Sequence, residues 1–241
     1  MVQRLPKRIS PCPIQEAVIE LRFQTDMPAD AVFGAIYQTV RDSYPQLKRL
    51  PLANIPEELR KEMQVQYEPL YHLVNPNFLC LIGPQVLSVE AQGEYPGWHR
   101  FKAEVLDTFN KVQNGAGVLK SITRIGMRYI TVFDWNVLPE LSVELKLAQR
   151  NLQYERMALQ TYFMRDTFHC TVHLSNIEQS DDGGTKTRID IDIAYIPTED
   201  DTWLSIEQTI DAAHMIEKQE FFALLTPEFL ETLHPEYEEE Q

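Results

Sequence analysis

The chain has 241 residues, of which 44% are hydrophobic and 24% are charged, as in a globular protein with a substantial core. No apolar run approaches the roughly 18 residues that a membrane-spanning helix needs, and Met1–Pro13 lacks the apolar stretch of a secretory signal. Three widely spaced cysteines, Cys12, Cys80 and Cys170, argue against a disulfide framework or a paired-cysteine zinc site. We therefore expect a cytoplasmic protein with no membrane association.

The net charge of −14 is concentrated in the C-terminal half of the sequence. Residues 1–135 contain 15 Lys and Arg against 14 Asp and Glu, whereas residues 136–241 contain 7 against 22. Because an acidic surface repels phosphate, the C-terminal half disfavours nucleic acid and favours a basic protein partner. The alternative is that this charge serves only solubility.

The hydrophobic pattern of residues 1–135 predicts an α+β half with the order of a split βαβ, the ferredoxin-like plan βαββαβ. Ile14–Gln24 alternates between apolar and polar residues, as a half-buried strand does, and follows an extended proline-rich arm. The other predicted strands lie near Met63–Val74, Phe78–Ile82, Val86–Gln92 and Ser121–Trp135, and the predicted helices are Pro28–Tyr44 and Pro96–Val112. We expect antiparallel sheets with the helices packed on one face.

Residues 136–241 are predicted to form a second, acidic α+β half that ends in a long helix. The predicted strands are Met157–Arg165, Phe168–Ser175 and Thr187–Ile196, with a turn at Asp181–Gly184 before the last; Leu141–Leu152 fits either a strand or a helix. A helix capped by Thr202 or Ser205 runs to about Leu225, a last turn opens at Pro227, and the acidic end from Glu236 is expected to fray. Whether the two halves are distant duplicates stays open.

Three predicted strands carry polar side chains opposite their apolar sides, and these form the candidate binding surface. They are Glu16, Glu20 and Arg22 on the first strand, Arg124 and Arg128 around Gly126 on the second, and Arg188, Asp190 and Asp192 on the third. If these strands pair, opposite charges face one another, and each cross-strand pair stabilises by about 0.2–1 kcal/mol. One interpretation is a solvated face of salt bridges. The other is a binding surface in which Arg22 and Arg128 hold a carboxylate or phosphate.

No sequence motif assigns catalysis, a cofactor or a metal to this chain. It lacks a P-loop, a dinucleotide glycine fingerprint, a nucleophile-elbow serine and a helical zinc-protease pair. His169 and His173 fall in a predicted strand, where four residues span about 13 Å, too far for one ion. We predict no catalytic residue, cofactor or metal. An enzyme remains an alternative, and it requires Glu20, Arg128 and Asp190 to converge in one concave site.

Nucleic-acid binding is a second alternative, because basic and aromatic residues interleave in the N-terminal half. The basic residues are Arg41, Lys48, Arg49, Arg60 and Lys61, with Tyr37 and Tyr44 among them. Ferredoxin-like folds include RNA-binding proteins, but this is an analogy of fold alone. A solvated helix face and loop explain the same residues.

Five sequence blocks stand out together. They are Pro11–Phe23, Tyr95–Trp98, Arg124–Ile130, Ile189–Asp192, and His214 seven residues before Phe221-Phe222. This set resembles an uncharacterised family of sporadically distributed bacterial and archaeal proteins of about 250 residues, signed by Pro-Pro-Ile-x-Glu-Ala-Val and Gly-Leu-Arg-Tyr-Ile stretches. Here Cys12 replaces a proline and Met127 a leucine. The resemblance spans nearly the whole chain and implies a shared fold, no established activity, and a patchy distribution of the kind that accompanies defence or toxin–antitoxin loci.

These observations together favour a non-enzymatic binding or regulatory protein. We expect it to act by protein–protein contact through its acidic C-terminal half, as an accessory component of a bacterial defence or toxin–antitoxin-type locus. The sequence leaves the oligomeric state and the identity of the partner open.

Overall fold

The computed structural model describes residues 4–151, 156–176, 184–198 and 206–237. It has an α+β architecture with a large antiparallel sheet, which confirms the predicted α+β class, but the sheet is larger than the ferredoxin-like plan predicted for residues 1–135. The strands are β1 (Ile14–Gln24), β2 (Gln46–Arg49), β3 (Tyr71–Val74), β4 (Phe78–Ile82), β5 (Val86–Ala91), β6 (Ser121–Phe133), β7 (Lys146–Leu147), β8 (Arg150–Asn151), β9 (Ala158–Arg165), β10 (Phe168–Ser175) and β11 (Thr187–Tyr195). The helices are α1 (Ala29–Val40), α2 (Glu57–Glu62), α3 (Trp98–Gly115), α4 (Ile206–Leu224) and α5 (Pro227–Thr232).

The chain divides into two compact units. The first unit comprises Glu16–Met127 with Ala194–Ile210, and the second comprises Met1–Gln15, Arg128–Ile193 and Asp211–Gln241. Each unit therefore draws residues from both predicted halves, 1–135 and 136–241. The boundary between the units falls inside β6, so that residues 121–127 belong to the first unit and residues 128–133 to the second. The strand order is therefore β2-β3-β4-β5-β1-β6 in the first unit and β6-β11-β10-β9 in the second.

The core of the first unit is built on the alternation of β1. Ala17, Ile19, Leu21 and Phe23 are fully buried, while the residues between them are partly exposed, as the sequence predicts. Two helices contribute further apolar residues, namely Val32, Ile36 and Val40 from α1 and Phe101, Val105, Phe109 and Val112 from α3. The helices approach closely, because a Cβ at Gly115 would lie 2.7 Å from the Thr39 side chain.

The segment between α1 and β4 differs from the sequence prediction. Only Tyr71–Val74 of the predicted strand Met63–Val74 is a strand, and it is preceded by a short helix, α2, and by strand β2. Helix α2 has two glutamates in its first turn and Arg60 and Lys61 in its last turn, an order that the helix dipole favours. The apolar pattern did not predict α2, because the helix is too short for a repeating apolar stripe. The order of its charges was the available signal.

The core of the second unit joins its strands to α4 and α5. Alternate residues of β10 and β11 are buried, and Phe133 of β6 lies 5.5 Å from Phe229 of α5, centroid to centroid. The N-terminal arm also belongs to this unit. The backbones of Arg8 and Glu236 form an antiparallel bridge, and their side chains are 2.7 Å apart. Fraying was therefore a wrong prediction for Glu236, and residues 238–241 lie outside the described residues.

The remaining predictions for this region are settled only in part. The open segment Leu141–Leu152 contains the short strands β7 and β8, which pair with each other as a hairpin. Residues 181–183 of the predicted turn, and both predicted caps of the long helix, Thr202 and Ser205, lie outside the described residues. Helix α4 ends at Leu224 and α5 begins at Pro227, close to the predicted positions.

Candidate functional site

The first unit holds a compact ion cluster on the polar side of β1 and β6, the Glu20 cluster, formed by Glu20, Arg22 and Arg124. The Glu20 carboxylate accepts from Arg22 Nε at 2.7 Å and from Arg124 Nη1 at 2.8 Å. The side chains of Glu20 and Arg124 are only 21% and 18% exposed, so solvent screens this pair less than a surface pair. Arg22 also lies over the ring of Tyr67 at 4.6 Å, within cation–π range.

The reach of Arg124 to Glu20 depends on a glycine. A Cβ at Gly126 would lie 1.9 Å from Arg124 Nη1, so the guanidinium occupies the space that a side chain at position 126 would fill. Residues 124 and 126 point to the same side of β6, because side chains alternate along a strand. Gly126 therefore allows Arg124 to lie flat along its own strand towards Glu20.

We expect Gly126→Ala to displace the Arg124 guanidinium and to remove its pairing with Glu20. The side-chain end is flexible, so the net change in stability should stay within about 1 kcal/mol. The informative measurement is the coupling free energy between Arg124→Met and Glu20→Gln in a double-mutant cycle by urea unfolding. This coupling should be measurable in the wild-type background and near zero in the Gly126→Ala background; an unchanged coupling would show that Arg124 does not need the gap.

A carboxyl group that the sequence did not single out also faces this side of the first unit. Glu90 of β5 lies opposite Val18 of β1, two pairs along from Ser88, which lies opposite Glu20. Burial, aided by the nearby negative charge of Glu16, raises the pKa of Glu90 to about 7. A single charged residue in the otherwise uncharged segment Val86–Ala91 was the available signal. In the described part of the chain, the Glu16 side chain forms no hydrogen bond or ion pair, unlike that of Glu20.

The second unit holds a concave site on its sheet, the polar pocket, of about 230 Å³. Its lining consists of Arg128 from β6, Asp190 and Asp192 from β11, Thr171 and His173 from β10, and Gln160 from β9. Three of these six residues, Arg128, Asp190 and Asp192, belong to the surface predicted from sequence. The other three were missed because the sequence does not show that β9 and β10 follow β11 in the sheet.

Arg128 and Asp190 form a bidentate ion pair in this pocket. Arg128 donates from Nε to Asp190 Oδ1 at 2.8 Å and from Nη2 to Asp190 Oδ2 at 2.7 Å, the bidentate fork geometry. Arg188 adds a longer contact of 3.4 Å to the same carboxylate. The Asp190 side chain is only 9% exposed, whereas that of Arg128 is 43% exposed. Asp190 is thus nearly enclosed by the protein, while Arg128 lines the pocket and is partly exposed to solvent.

Strand β9 stands at the edge of the sheet beside this pocket. It pairs with β10, with Gln160 opposite His173 and Tyr162 opposite Thr171, and no other strand of the described residues pairs with it. Tyr162 and Met164 are 73% and 51% exposed. Gln160, Tyr162 and Met164 share one side of β9, so the two exposed apolar side chains lie on the same side as the polar pocket.

The basic residues of the nucleic-acid alternative are not all exposed. Lys48 and Arg49 lie in the exposed strand β2, and Arg41 and Lys61 are also exposed. Arg60, in contrast, is only 7% exposed. A buried guanidinium cannot contact a nucleic-acid backbone from the protein surface, so Arg60 needs another explanation.

The described histidines and acidic residues give no indication of a metal centre. Within residues 4–151, 156–176, 184–198 and 206–237, no group of three or more His, Cys, Asp or Glu side chains is arranged to hold a metal ion. His214 of α4 lies 6.0 Å from the ring of Tyr129. Burial lowers its pKa to about 4, the positive charge of Lys218 adds to this, and Asp211 opposes it. Burial likewise raises the pKa of Cys80, so this thiol is a poor nucleophile.

The polar pocket meets the requirement of the enzyme alternative only in part. That alternative needs Glu20, Arg128 and Asp190 in one concave site, and the pocket is lined by Arg128 and Asp190 without Glu20. Its two carboxylates are accompanied by no serine or cysteine in the lining.

Among the described helices, none has the length and apolar character required to cross a membrane.

Two comparisons of this chain with known proteins found no match. No model of a protein family matches it. No curated protein matches it at a significant level of similarity. The resemblance drawn from the five sequence blocks therefore stays a prediction.

Proposed function

We propose that this chain is a binding protein that recognises another protein by adding one of its extended segments to the edge of β9. The partner segment is basic and carries apolar residues at alternate positions. The observation that supports this most directly is the exposed edge of β9, with Tyr162 and Met164 on one side of the strand. A sheet edge offers a row of backbone donors and acceptors to an incoming strand.

The two strands at the ends of the strand order, β2 and β9, differ in length and charge, and this difference favours β9 as the binding edge. Strand β2 has four residues, and two of them, Lys48 and Arg49, are charged. A short, charged edge is a common protection against unwanted pairing. Strand β9 has eight residues, and from Ala158 to Met164 none is charged. A long, uncharged edge of this kind can pair with the strand of another chain.

The charge of the surrounding sequence defines the partner. Residues 136–241, which include β9, contain 7 basic and 22 acidic residues, so a positively charged segment is attracted and a negatively charged one is repelled. The polar pocket adds a local feature, because it combines one guanidinium, that of Arg128, with the two carboxylates of Asp190 and Asp192. A lysine or arginine of the added strand, on the side of Gln160, would meet this negative pocket.

The resemblance to sporadically distributed bacterial and archaeal proteins supports a wider proposal. We propose that the chain is an accessory component of a defence or toxin–antitoxin-type locus, and that its partner is encoded nearby. We also propose that the first unit is an enlarged ferredoxin-like fold. The order β4-β5-β1-β6, with α1 after β1 and α3 after β5, is the order of that plan, and β2 and β3 extend it.

The test is capture of the partner from the native host with matched variants. We expect the double variant Tyr162→Lys/Met164→Lys to weaken partner binding at least about tenfold, because the added charges oppose both the apolar contact and a basic segment. Both positions are more than half exposed, so folding should change by less than about 0.5 kcal/mol. Leu47→Lys, on the exposed strand β2, is the control and should bind as the wild type does.

Three outcomes contradict the proposal. The first is a captured protein that binds the double variant as well as the wild type. The second is a partner whose binding segment is acidic. The third is concentration-dependent self-association of the purified chain, lost in the double variant, which would show that a second copy of the chain occupies the edge.

A further inference from the structure

The first unit contains a cavity of about 610 Å³ at the C-terminal end of β1, the α2 cavity, which has no role in the proposed function. Its lining includes Asp26, Pro28 and Ala29 at the start of α1, and Glu57, Arg60 and Lys61 of α2. This volume is within the range of small-molecule sites in proteins. We propose that the α2 cavity binds a small anion that carries a carboxylate or phosphate group, with Arg60 as its main contact.

The first argument is the state of Arg60. This residue is 7% exposed, its Nη1 donates to the Leu52 carbonyl oxygen at 3.4 Å, and its Nε, also buried, has no hydrogen-bond partner. It forms no ion pair with a carboxylate in the described part of the chain. A buried cation without a directly paired counter-charge is costly, and such groups in native proteins call for a bound ion, water or function.

The second argument is that the acidic residues of the cavity are already engaged. Glu57 pairs with Lys61 at 2.6 Å, and Asp26 pairs with Lys120 at 2.8 Å. Neither carboxylate forms a direct ion pair with Arg60, and the lowered pKa of Glu57 is caused mainly by Lys61 and only in minor part by Arg60. The Arg60 guanidinium thus has no directly paired carboxylate in the cavity, and an anion of the right size would supply one.

The third argument is the start of helix α1, which contributes Pro28 and Ala29 to the same lining. The helix has 12 residues, its N-cap is Pro28, and no side chain accepts from its first backbone N–H groups. Backbone N–H groups at a helix N-terminus attract anions. The buried guanidinium and the uncapped helix start both line this cavity, and a carboxylate or phosphate accepts hydrogen bonds from both kinds of donor.

The test is a titration of the full chain with inorganic phosphate and, separately, with citrate, followed by calorimetry. We expect at least one probe to bind with a dissociation constant below about 10 mM and to raise the melting temperature. Arg60→Met, which keeps the apolar stem, should weaken that binding at least about tenfold. Arg41→Met, at an exposed arginine of the first unit that does not line the cavity, should leave it unchanged. The probe that binds identifies the phosphate or the carboxylate as the recognised group.

Two further readouts separate binding from a purely structural role of Arg60. Without a probe, Arg60→Met should not lower the melting temperature, because it removes an unbalanced buried charge. In the wild-type chain, the NMR signal of the Arg60 Nε–H should shift during the titration, a result that does not depend on whether the variant folds. No binding of either probe, binding that survives Arg60→Met, or an Nε–H signal that does not move would each overturn the proposal.

Discussion

Replacing Arg128 by methionine is expected to lower the free energy of unfolding by about 2 kcal/mol. The change leaves the Asp190 carboxylate, 9% exposed, without its bidentate partner and with only the 3.4 Å contact to Arg188. Removing one partner of a fully buried pair costs about 3–5 kcal/mol, and the 43% exposure of Arg128 reduces this figure because water replaces part of the lost contact. Urea unfolding at neutral pH measures the effect.

The control and the double variant identify the cause. Lys146→Met removes an exposed partner of Glu144 in the same unit and should cost less than about 0.5 kcal/mol. The double variant Arg128→Met/Asp190→Asn should recover part of the loss, because it removes the stranded charge. A cost for Arg128→Met no larger than that for Lys146→Met would show that the pair contributes little.

The second large effect concerns Glu217 of α4, and it depends on pH. This residue is 7% exposed, and burial raises the pKa of its carboxyl group to about 8, although the positive charge of Lys218 opposes the shift. Between pH 4.5 and 8 the unfolded chain releases this proton while the folded chain keeps it. Stability from this group is therefore fully present below pH 4.5 and falls as the pH rises to 8.

We expect Glu217→Gln to remove this fall, because glutamine resembles the protonated acid. We compare the free energy of unfolding of the variant with that of the wild type at the same pH. This difference should shift in favour of the variant by on the order of 2–3 kcal/mol between pH 5 and pH 8. Thermal or urea unfolding at both values measures the difference. Glu231→Gln, at an exposed glutamate of α5, controls for the loss of one acidic residue. Equal stability differences for the two variants at both pH values would rule out a buried neutral carboxyl group at position 217.

The sequence predicts the elements of this protein that have a clear apolar period. The alternation of β1 and of Phe168–Ser175 placed both strands correctly, and α3 and α4 follow from stripes that continue over several turns. Strand β2 escaped prediction because Gln46–Arg49 is exposed throughout and so carries no apolar alternation. A strand or helix can be predicted from sequence when one of its sides is buried, because burial gives its apolar residues a regular spacing. The short exposed strand β2 has no such spacing.

For the candidate site, the sequence predicts which residues of one strand share a side, but not which strands are neighbours. Alternation assigned Glu20, Arg124, Arg128 and Asp190 to polar sides, and the structure pairs Glu20 with Arg124 and Arg128 with Asp190. It could not assign Thr171 and His173 to the pocket, because that depends on which strand lies beside which. The burial of Arg60 was equally hidden, since a charged residue in a short helix gives no sequence signal of a buried position.

Amide hydrogen exchange of the chain, alone and with its captured partner, tests the addition of a strand at β9 most directly. We predict that binding slows exchange of backbone amides within residues 158–165, because those of its outer edge gain hydrogen bonds to the added segment. Amides of β2, at the charged edge, should exchange at the same rate in both states. Protection that appears elsewhere in the chain while the β9 amides exchange unchanged would contradict strand addition as the mode of recognition.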